Sequence, residues 1–161
     1  NGDESKYLFP IGLKKSANAD FSYSGVKTAL RQFLDKNPGI EENQEELPHV
    51  CAGYQRSIVD AVKLKARYAL RKAKDITGKE VPFVVGGGVA ANSALRRTLQ
   101  ASYKNVYFVP PKYCTDNGAM VARSGWERYV HQKQVSNLCV DAFSRMPLQK
   151  VEGGGLWQKY E

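Results

Sequence analysis

The sequence has few of the residues that hold disulfide-rich or zinc-bound domains together. Its 161 residues include three cysteines, Cys51, Cys114 and Cys139, which lie far apart and form no CxxC pair. An odd number of widely spaced cysteines argues against a disulfide framework and against a structural zinc site made of paired thiolates. We therefore expect the chain to belong to a reducing compartment.

Histidine is also scarce, and its spacing does not match the common helical zinc motifs. The two histidines, His49 and His131, form neither an HExxH nor an HxxxH pattern. In such patterns two imidazoles lie on one face of a helix and bind the same metal ion. No complete metal or hydrolase site can therefore be assembled from the residues of this chain alone.

Long apolar runs, a signal peptide and an initiator methionine are absent as well. No stretch approaches the ~20 apolar residues that a transmembrane helix needs, and no signal-peptide pattern is present. The chain begins at Asn1, in a polar stretch. We expect a soluble chain without a membrane partner, and one that has been processed or truncated.

The sequence does have positive charge and enough apolar residues for a core. With 42% hydrophobic and 25% charged residues, it fits one globular domain. The formal net charge is +8 and the pI is about 9.4, which favours an anionic partner. Because nine tyrosines accompany the lysines and arginines, nucleic acid is the first candidate.

The most informative stretch is VPFVVGGGVAANSALRR, from Val81 to Arg97. Its order predicts a buried strand at Pro82 to Val85, a turn at Gly86, Gly87 and Gly88, and then a helix. A bare backbone at a helix N-terminus can approach a nucleotide closely, because free N–H groups and the helix dipole both favour anions. The alternative is a glycine turn that serves only packing.

A second strand is predicted at Asn105 to Val109, followed by the segment YCTDNGAMVA. Within it, Asp116 precedes a helix of apolar and small residues, so it is either an N-cap or a carboxylate directed at a metal ion or a phosphate-bound cation. Strand, helix, strand and helix together indicate a parallel pair with a right-handed crossover. Ligands bind at the C-terminal ends of such strands, so Gly86 to Gly88 and Cys114 to Asp116 should face one cleft.

Two further helices are predicted upstream, after an irregular arm over residues 1–20. Ser24 is interpreted as the cap of the first helix, with direct ligand binding as the alternative. This helix should bury Val26, Leu30, Phe33 and Leu34. The second runs from Pro48 to Ile76 and stops at Gly78, with a buried face made of Cys51, Tyr54, Ile58, Val62 and Ala69.

The second half of the long helix carries six cations, which form either a solvated surface or a site for phosphates. They are Lys63, Lys65, Arg67, Arg71, Lys72 and Lys74.

Two common nucleotide-binding motifs fail when they are tested on this sequence. Gly86, Gly88 and Ala91 have the spacing of a GxGxxA dinucleotide fingerprint, but Val109 and two prolines occupy the place of its ribose-binding acid. A Walker A loop ends in Gly-Lys-Ser/Thr, whereas this one ends in Ala-Asn-Ser and lacks the lysine.

Three motifs occur in this order along the chain: FSYSGVKTA, VVGGGVAANSALRR and YCTDNGAMVA. Together they resemble the C-terminal part of the tRNA adenosine threonylcarbamoyltransferase family, formerly called the O-sialoglycoprotein endopeptidase or glycoprotease family. The resemblance covers about residues 9–132 and favours the bacterial or organellar branch. It implies a helix-rich α/β chain with a small parallel sheet, the C-terminal portion of an actin-like ATPase (ASKHA) fold. The implied domains are an arm at 1–20, a partial lobe at 21–132 and an extension at 133–161.

The resemblance also implies a reaction and a set of site residues. The family transfers threonylcarbamoyl from its adenylate to the adenosine beside the anticodon of ANN-decoding tRNAs. Gly86, Gly87 and Gly88 match its adenosine-side backbone, and Ala91 and Asn92 match its adenylate contact. Asp116 matches the aspartate that binds one divalent metal ion, iron or zinc. The other metal ligands, two histidines, belong to an N-terminal lobe, and no catalytic residue is assigned to this chain.

The implied partners are tRNA, that N-terminal lobe and other subunits of the threonylcarbamoyl-transfer complex, in the cytoplasm or an organelle. We expect the isolated chain to be inactive, because half of its site would be missing. A non-catalytic, basic tRNA-binding or subunit-docking module is the rival hypothesis. The former metalloprotease assignment is disfavoured, because the chain supplies neither a general base nor a zinc-binding pair.

Overall fold

The computed structural model describes residues 2–133 and Val135. The chain divides into two compact units, Asn1–Cys114 and Thr115–Glu161. The described part of the first unit contains α1 (Ser24–Lys36), α2 (Leu47–Thr77), β1 (Phe83–Val85), α3 (Ser93–Ser102) and β2 (Val106–Phe108). The described part of the second unit contains α4 (Gly118–Gln132).

The two strands pair in parallel, as the element order predicts. Phe83 lies opposite Val106, and Val85 lies opposite Phe108, with α3 connecting the strands. Each strand is shorter than predicted, and β1 begins after Pro82 because proline has no N–H for the ladder. The prediction of a helix-rich α/β chain with a small parallel sheet is confirmed.

The core of the first unit lies between the sheet and the helices α2 and α3. Val59, Leu95 and Leu99 are its buried centre, and Leu99 has no exposed surface. Alternation along the strands places four residues against this centre: Phe83, Val85, Val106 and Phe108. The opposite face of the sheet presents Val84 and Tyr107 to solvent.

None of the five residues predicted to form the buried face of α2 is fully buried, and only Tyr54, Ile58 and Val62 are half-buried. Cys51 and Ala69 are exposed, and the buried residues are Val50, Gly53, Ser57, Val59, Ala61, Lys65 and Ala66. The helix contacts α1 and α3 as well as the N-terminal segment, so its buried positions do not form a single stripe. The predicted end is confirmed, because Gly78 closes the helix in the left-handed conformation with φ of 70°.

The predicted cap of α1 is wrong by one residue. Tyr23 occupies the N-cap position and makes no side-chain cap, while Ser24 is already the first helical residue. A start without a side-chain cap is tolerated because Val26, which is 1% exposed, buries this end of the helix. The helix ends at Lys36, and the Asn37 side-chain amide donates to the carbonyl of Phe33 at 2.7 Å.

Residues 2–20 form no helix or strand, in agreement with the predicted arm, yet they pack on the helices. The ring of Tyr7 lies 5.1 Å from that of Phe33, and its hydroxyl donates to Glu46 at 2.7 Å. Lys6 also donates to Glu46 at 2.7 Å, and this bond lowers the pKa of the carboxyl because it stabilises the charged form. A Cβ atom at Gly53 would lie 1.9 Å from the Tyr7 carbonyl oxygen, so this crossing requires glycine.

A buried lysine fixes the end of this N-terminal segment. Lys65 is 1% exposed, and its ammonium donates to the Ser16 hydroxyl at 2.7 Å, the Ser16 carbonyl at 3.0 Å and the Asn18 carbonyl at 3.1 Å. These neutral oxygens replace the water that the ammonium loses on burial. The middle of α2 therefore holds the turn that leads into α1.

No helix in residues 2–133 is both long and apolar enough to cross a membrane. The predicted extension at 133–161 lies outside the described residues except for Lys133 and Val135. The predicted boundaries after residues 20 and 132 stay predictions.

Replacing Lys65 by Met should loosen the turn at Ser16 to Asn18. The substitution keeps the apolar stem but removes the donors, and we expect a loss of about 2 kcal/mol in the free energy of unfolding. Hydrogen exchange of the amides in residues 14–20 should accelerate.

Lys63→Met is the matched control, because this side chain is exposed on the same helix two residues earlier. Exchange rates in residues 14–20 that are equal in the two variants would contradict the anchoring role of Lys65.

Candidate functional site

The three glycines after β1 differ in what a side chain at each position would meet. Gly87 has φ of +82°, a region that side chains other than glycine avoid. A Cβ atom at Gly86 would lie 3.2 Å from the side chain of Val109, whereas at Gly88 it would meet no atom within 4 Å. The turn is therefore strained for any other residue at Gly87 and open to approach at Gly88.

The helix after this turn begins at Asn92, which the sequence predicts to contact an adenylate. Gly88–Ala91 forms a 3-10 turn in which Ala90 is buried and Ala91 is exposed. The Asn92 side-chain oxygen caps α3 by accepting from the Leu95 N–H at 2.9 Å. Its amide nitrogen donates to no residue in the described part of the chain and is available to a ligand.

A cavity of about 310 Å³ lies between this turn and α2. Val89, Asn92 and Leu95 form one wall, and the wall from α2 is made of Cys51, Tyr54, Gln55, Ile58, Val59 and Val62. Four of these α2 residues belong to the stripe that the sequence predicts to be buried in the core. They line a mostly apolar cavity, although Val62 also packs against the core. The cavity volume is at the lower end of those that enclose small ligands.

Arg96 connects the glycine turn to the end of β2, a role that sequence reasoning missed. Its guanidinium donates to the Ala90 carbonyl at 2.5 Å and to the Val109 carbonyl at 2.7 Å. It also lies 4.9 Å from the centre of the Phe108 ring, a cation–π distance. The sequence presents this residue only as one charge in a basic helix, because its acceptors lie outside that helix, 6 and 13 residues away.

The two described cysteines have different surroundings. Cys114 is buried, and its thiol donates to the Val109 carbonyl at 3.4 Å. A second contact joins its sulfur to the Arg96 guanidinium at 3.5 Å. Cys51 is exposed at the rim of the cavity. Both thiols are free, and Cys139 lies outside the described residues.

Asp116, in the second unit, is not the cap of α4. That role belongs to Asn117, whose side-chain oxygen accepts from the Met120 N–H at 3.0 Å. Asparagine caps a helix as well as aspartate does, and the extended backbone of Asn117 places the helix start at Gly118. The N-cap interpretation of Asp116 is therefore wrong, and its exposed carboxylate has no partner among the described residues.

As a metal ligand, Asp116 supplies one carboxylate and needs further ligands. Residues 2–133 and Val135 contain no group of three His, Cys, Asp or Glu side chains placed to hold an ion, and His131 pairs with Glu127 at 2.9 Å. A carboxylate suits a mixed nitrogen and oxygen ligand set, so Asp116 fits as one member of a shared site. The metal role and the common cleft with Gly86 to Gly88 stay predictions.

Comparison with known proteins identifies relatives of the whole first unit. Residues 1–123 match the family model described as tRNA N6-adenosine threonylcarbamoyltransferase. A protein of that name from Francisella tularensis subsp. novicida is 40% identical in an alignment of 151 residues that covers 91% of this chain and 43% of the relative. One from Methylorubrum populi is 38% identical in an alignment of 155 residues that covers 94% of this chain and 44% of the relative.

The chain thus spans less than half the length of these relatives. The family match nevertheless includes all six predicted site residues: Gly86, Gly87, Gly88, Ala91, Asn92 and Asp116. The resemblance seen in the three sequence motifs is confirmed, and this chain belongs to the tRNA N6-adenosine threonylcarbamoyltransferase family.

Proposed function

We propose that this chain forms the adenine-nucleotide half of a tRNA threonylcarbamoyltransferase site. The observation that carries the proposal is the open glycine turn beside an apolar cavity whose wall includes Asn92. The adenylate part of threonylcarbamoyl-adenylate would place its base in or near this cavity. The backbone of Gly86 to Gly88 and Ala91 would face its sugar and phosphate, and the Asn92 amide would donate to it.

The second part of the proposal concerns Asp116. We infer that it binds one divalent ion, iron or zinc, together with two histidines of an N-terminal lobe in an actin-like fold. An ion held there would act as a Lewis acid on the threonylcarbamoyl or phosphate oxygens. The contribution of this chain is a carboxylate that no described neighbour engages.

The proposed acceptor is the adenosine next to the anticodon of ANN-decoding tRNAs. The proposed partners are the N-terminal lobe and other subunits of the transfer complex, in the cytoplasm or an organelle. On this proposal the chain alone does not catalyse transfer, because the described residues hold only one of the metal ligands.

The rival proposal is a non-catalytic module that binds tRNA or docks a subunit. It is favoured by the single unpartnered carboxylate at the predicted metal position and by the positive charge of the chain. Binding of an adenine nucleotide distinguishes the two, because only the transferase site requires it.

Replacing Gly87 by Val should weaken binding of adenosine monophosphate to this chain by tenfold or more. A side chain there covers the backbone that the nucleotide approaches. Because φ is +82°, the substitution should also cost about 1–2 kcal/mol in the free energy of unfolding. Isothermal titration and thermal unfolding measure the two effects.

Gly78→Val is the control for strain, since Gly78 also has positive φ but lies at the end of α2, away from the cavity. It should lose similar stability and bind the nucleotide normally. Normal nucleotide binding by Gly87→Val would contradict the proposed site.

Replacing Asp116 by Asn should leave the melting temperature almost unchanged, because Asn117 is the helix cap. In a two-lobe protein that carries this chain as its C-terminal portion, metal content and transfer rate should both fall. Asn117→Ala is the matched variant: it should cost about 1 kcal/mol of stability and retain the metal. Full metal content and activity in Asp116→Asn would show that the carboxylate is not a ligand.

A further inference from the structure

A basic groove lies at the N-terminal ends of the two strands, opposite the glycine turn. It encloses about 520 Å³ and is bounded by Arg67, Arg71 and Lys74 from α2, by Glu80 and Val81 before β1, and by residues 102–105 before β2. Three-residue strands span about 10 Å. The groove is therefore separate from the candidate nucleotide site.

The charge of this groove is strongly positive. Four cations line it, Arg67, Arg71, Lys74 and Lys104, together with one anion, Glu80. Lys74 and Glu80 form an exposed ion pair at 3.5 Å, which leaves three cations in the groove without a carboxylate partner among the described residues. Unpaired cations around a concave surface concentrate the positive potential and attract a polyanion.

The groove continues into a second, smaller one along α2. The two share Arg67 and Tyr103, and the second adds Lys14 and Lys63, with Asp60 as its one carboxylate. Arg67, Arg71 and Lys74 lie at helical spacing on one face of α2, along about 10 Å of the axis. The cations thus form a track rather than a single point of charge.

Rigid contacts hold the wall between the two grooves. The Tyr103 hydroxyl donates to the Lys63 carbonyl at 2.6 Å, and its ring meets that of Phe83 edge to face at 5.8 Å. Burial raises the pKa of this hydroxyl, so the donor is also retained above neutral pH. The track therefore lies on a fixed surface that connects α2 to the sheet.

The structure also shows which of the six cations in the second half of α2 line the grooves, a distinction that the sequence does not give. Lys65 is buried and bonded to Ser16 and Asn18, so it contributes no surface charge. Lys72 lines neither groove. The remaining four cations of this half of α2 all face the track.

We propose that this basic track binds the sugar-phosphate backbone of the RNA substrate. The proposal rests on the proposed function, because the relatives are named for an RNA-modifying reaction. A continuous row of cations suits a backbone with a charge at every nucleotide better than it suits an acidic protein loop. Since the track lies at the opposite end of the strands from the nucleotide site, it holds the body of the tRNA rather than the reacting base.

The test compares two triple variants that lose the same charge. One replaces Arg67, Arg71 and Lys74 by Gln, and the control replaces Arg31, Lys36 and Lys72, which are exposed and lie outside the track. The probe is a transcript of a tRNA that decodes an ANN codon, titrated by fluorescence anisotropy at several salt concentrations. Binding of adenosine monophosphate is measured on the same preparations.

We expect the track variant to bind the transcript about tenfold or more weakly at ~0.1 M salt, with a salt slope smaller by about 2. The control should lose less than about threefold, and neither variant should change nucleotide binding. Equal losses of affinity for the transcript in both variants would contradict the proposed RNA contact. Equal displacement of the transcript by poly-glutamate from the unmodified chain and from both variants would contradict it as well. Failure of the unmodified chain to bind the transcript would overturn it too, while retained nucleotide binding would leave the transferase site intact.

Discussion

The guanidinium of Arg96 holds together the parts of the candidate site that the backbone alone would leave free. The turn at Gly86 to Gly88 has no side chains with which to fix itself, and Gly87 occupies a conformation open to few residues. The last backbone hydrogen bond between the strands runs from the Val109 N–H to the Val85 carbonyl at 3.1 Å. Beyond it, the described backbone of these two segments forms no further hydrogen bond between them. Arg96 closes the gap through two carbonyl acceptors, one on each side. Such bonds to a charged donor contribute about 1.5–3 kcal/mol each.

This constraint explains how the proposed nucleotide site could be specific although it has few polar groups. The cavity beside Asn92 is mostly apolar, so its selectivity depends on where the turn presents its bare backbone and where the Asn92 amide points. Arg96 determines the first, and the cap of α3 determines the second. At the other end of the strands, the proposed RNA contact of the basic track around Arg67 depends on charge. On these two proposals, the chain separates recognition of a small nucleotide from attraction of a large polyanion, with the sheet between them.

The sequence predicts whatever depends on local pattern and misses what depends on distant contacts. An apolar run followed by glycines was sufficient for β1, the turn and α3, and Gly78 marked the end of α2 because left-handed backbone favours glycine. The cap of α4 was misplaced because Asp116 and Asn117 are equally good caps, and only the backbone decides between them. The buried state of Lys65 depends on oxygens 47 and 49 residues away, and no periodicity reports such contacts. The family motifs supplied the predicted site residues, which stay predictions, whereas the contacts of Arg96 required the structure.

Amide hydrogen exchange in Arg96→Lys tests the central claim most directly. Lysine keeps the charge but lacks the planar, forked donors that reach two carbonyls at once. We predict that exchange in residues 86–92 accelerates by about tenfold or more and that affinity for adenosine monophosphate falls, while Arg97→Lys, at the exposed neighbouring position, changes neither. Exchange rates in residues 86–92 that are the same in both variants and in the unmodified chain would contradict the claim that Arg96 shapes the site.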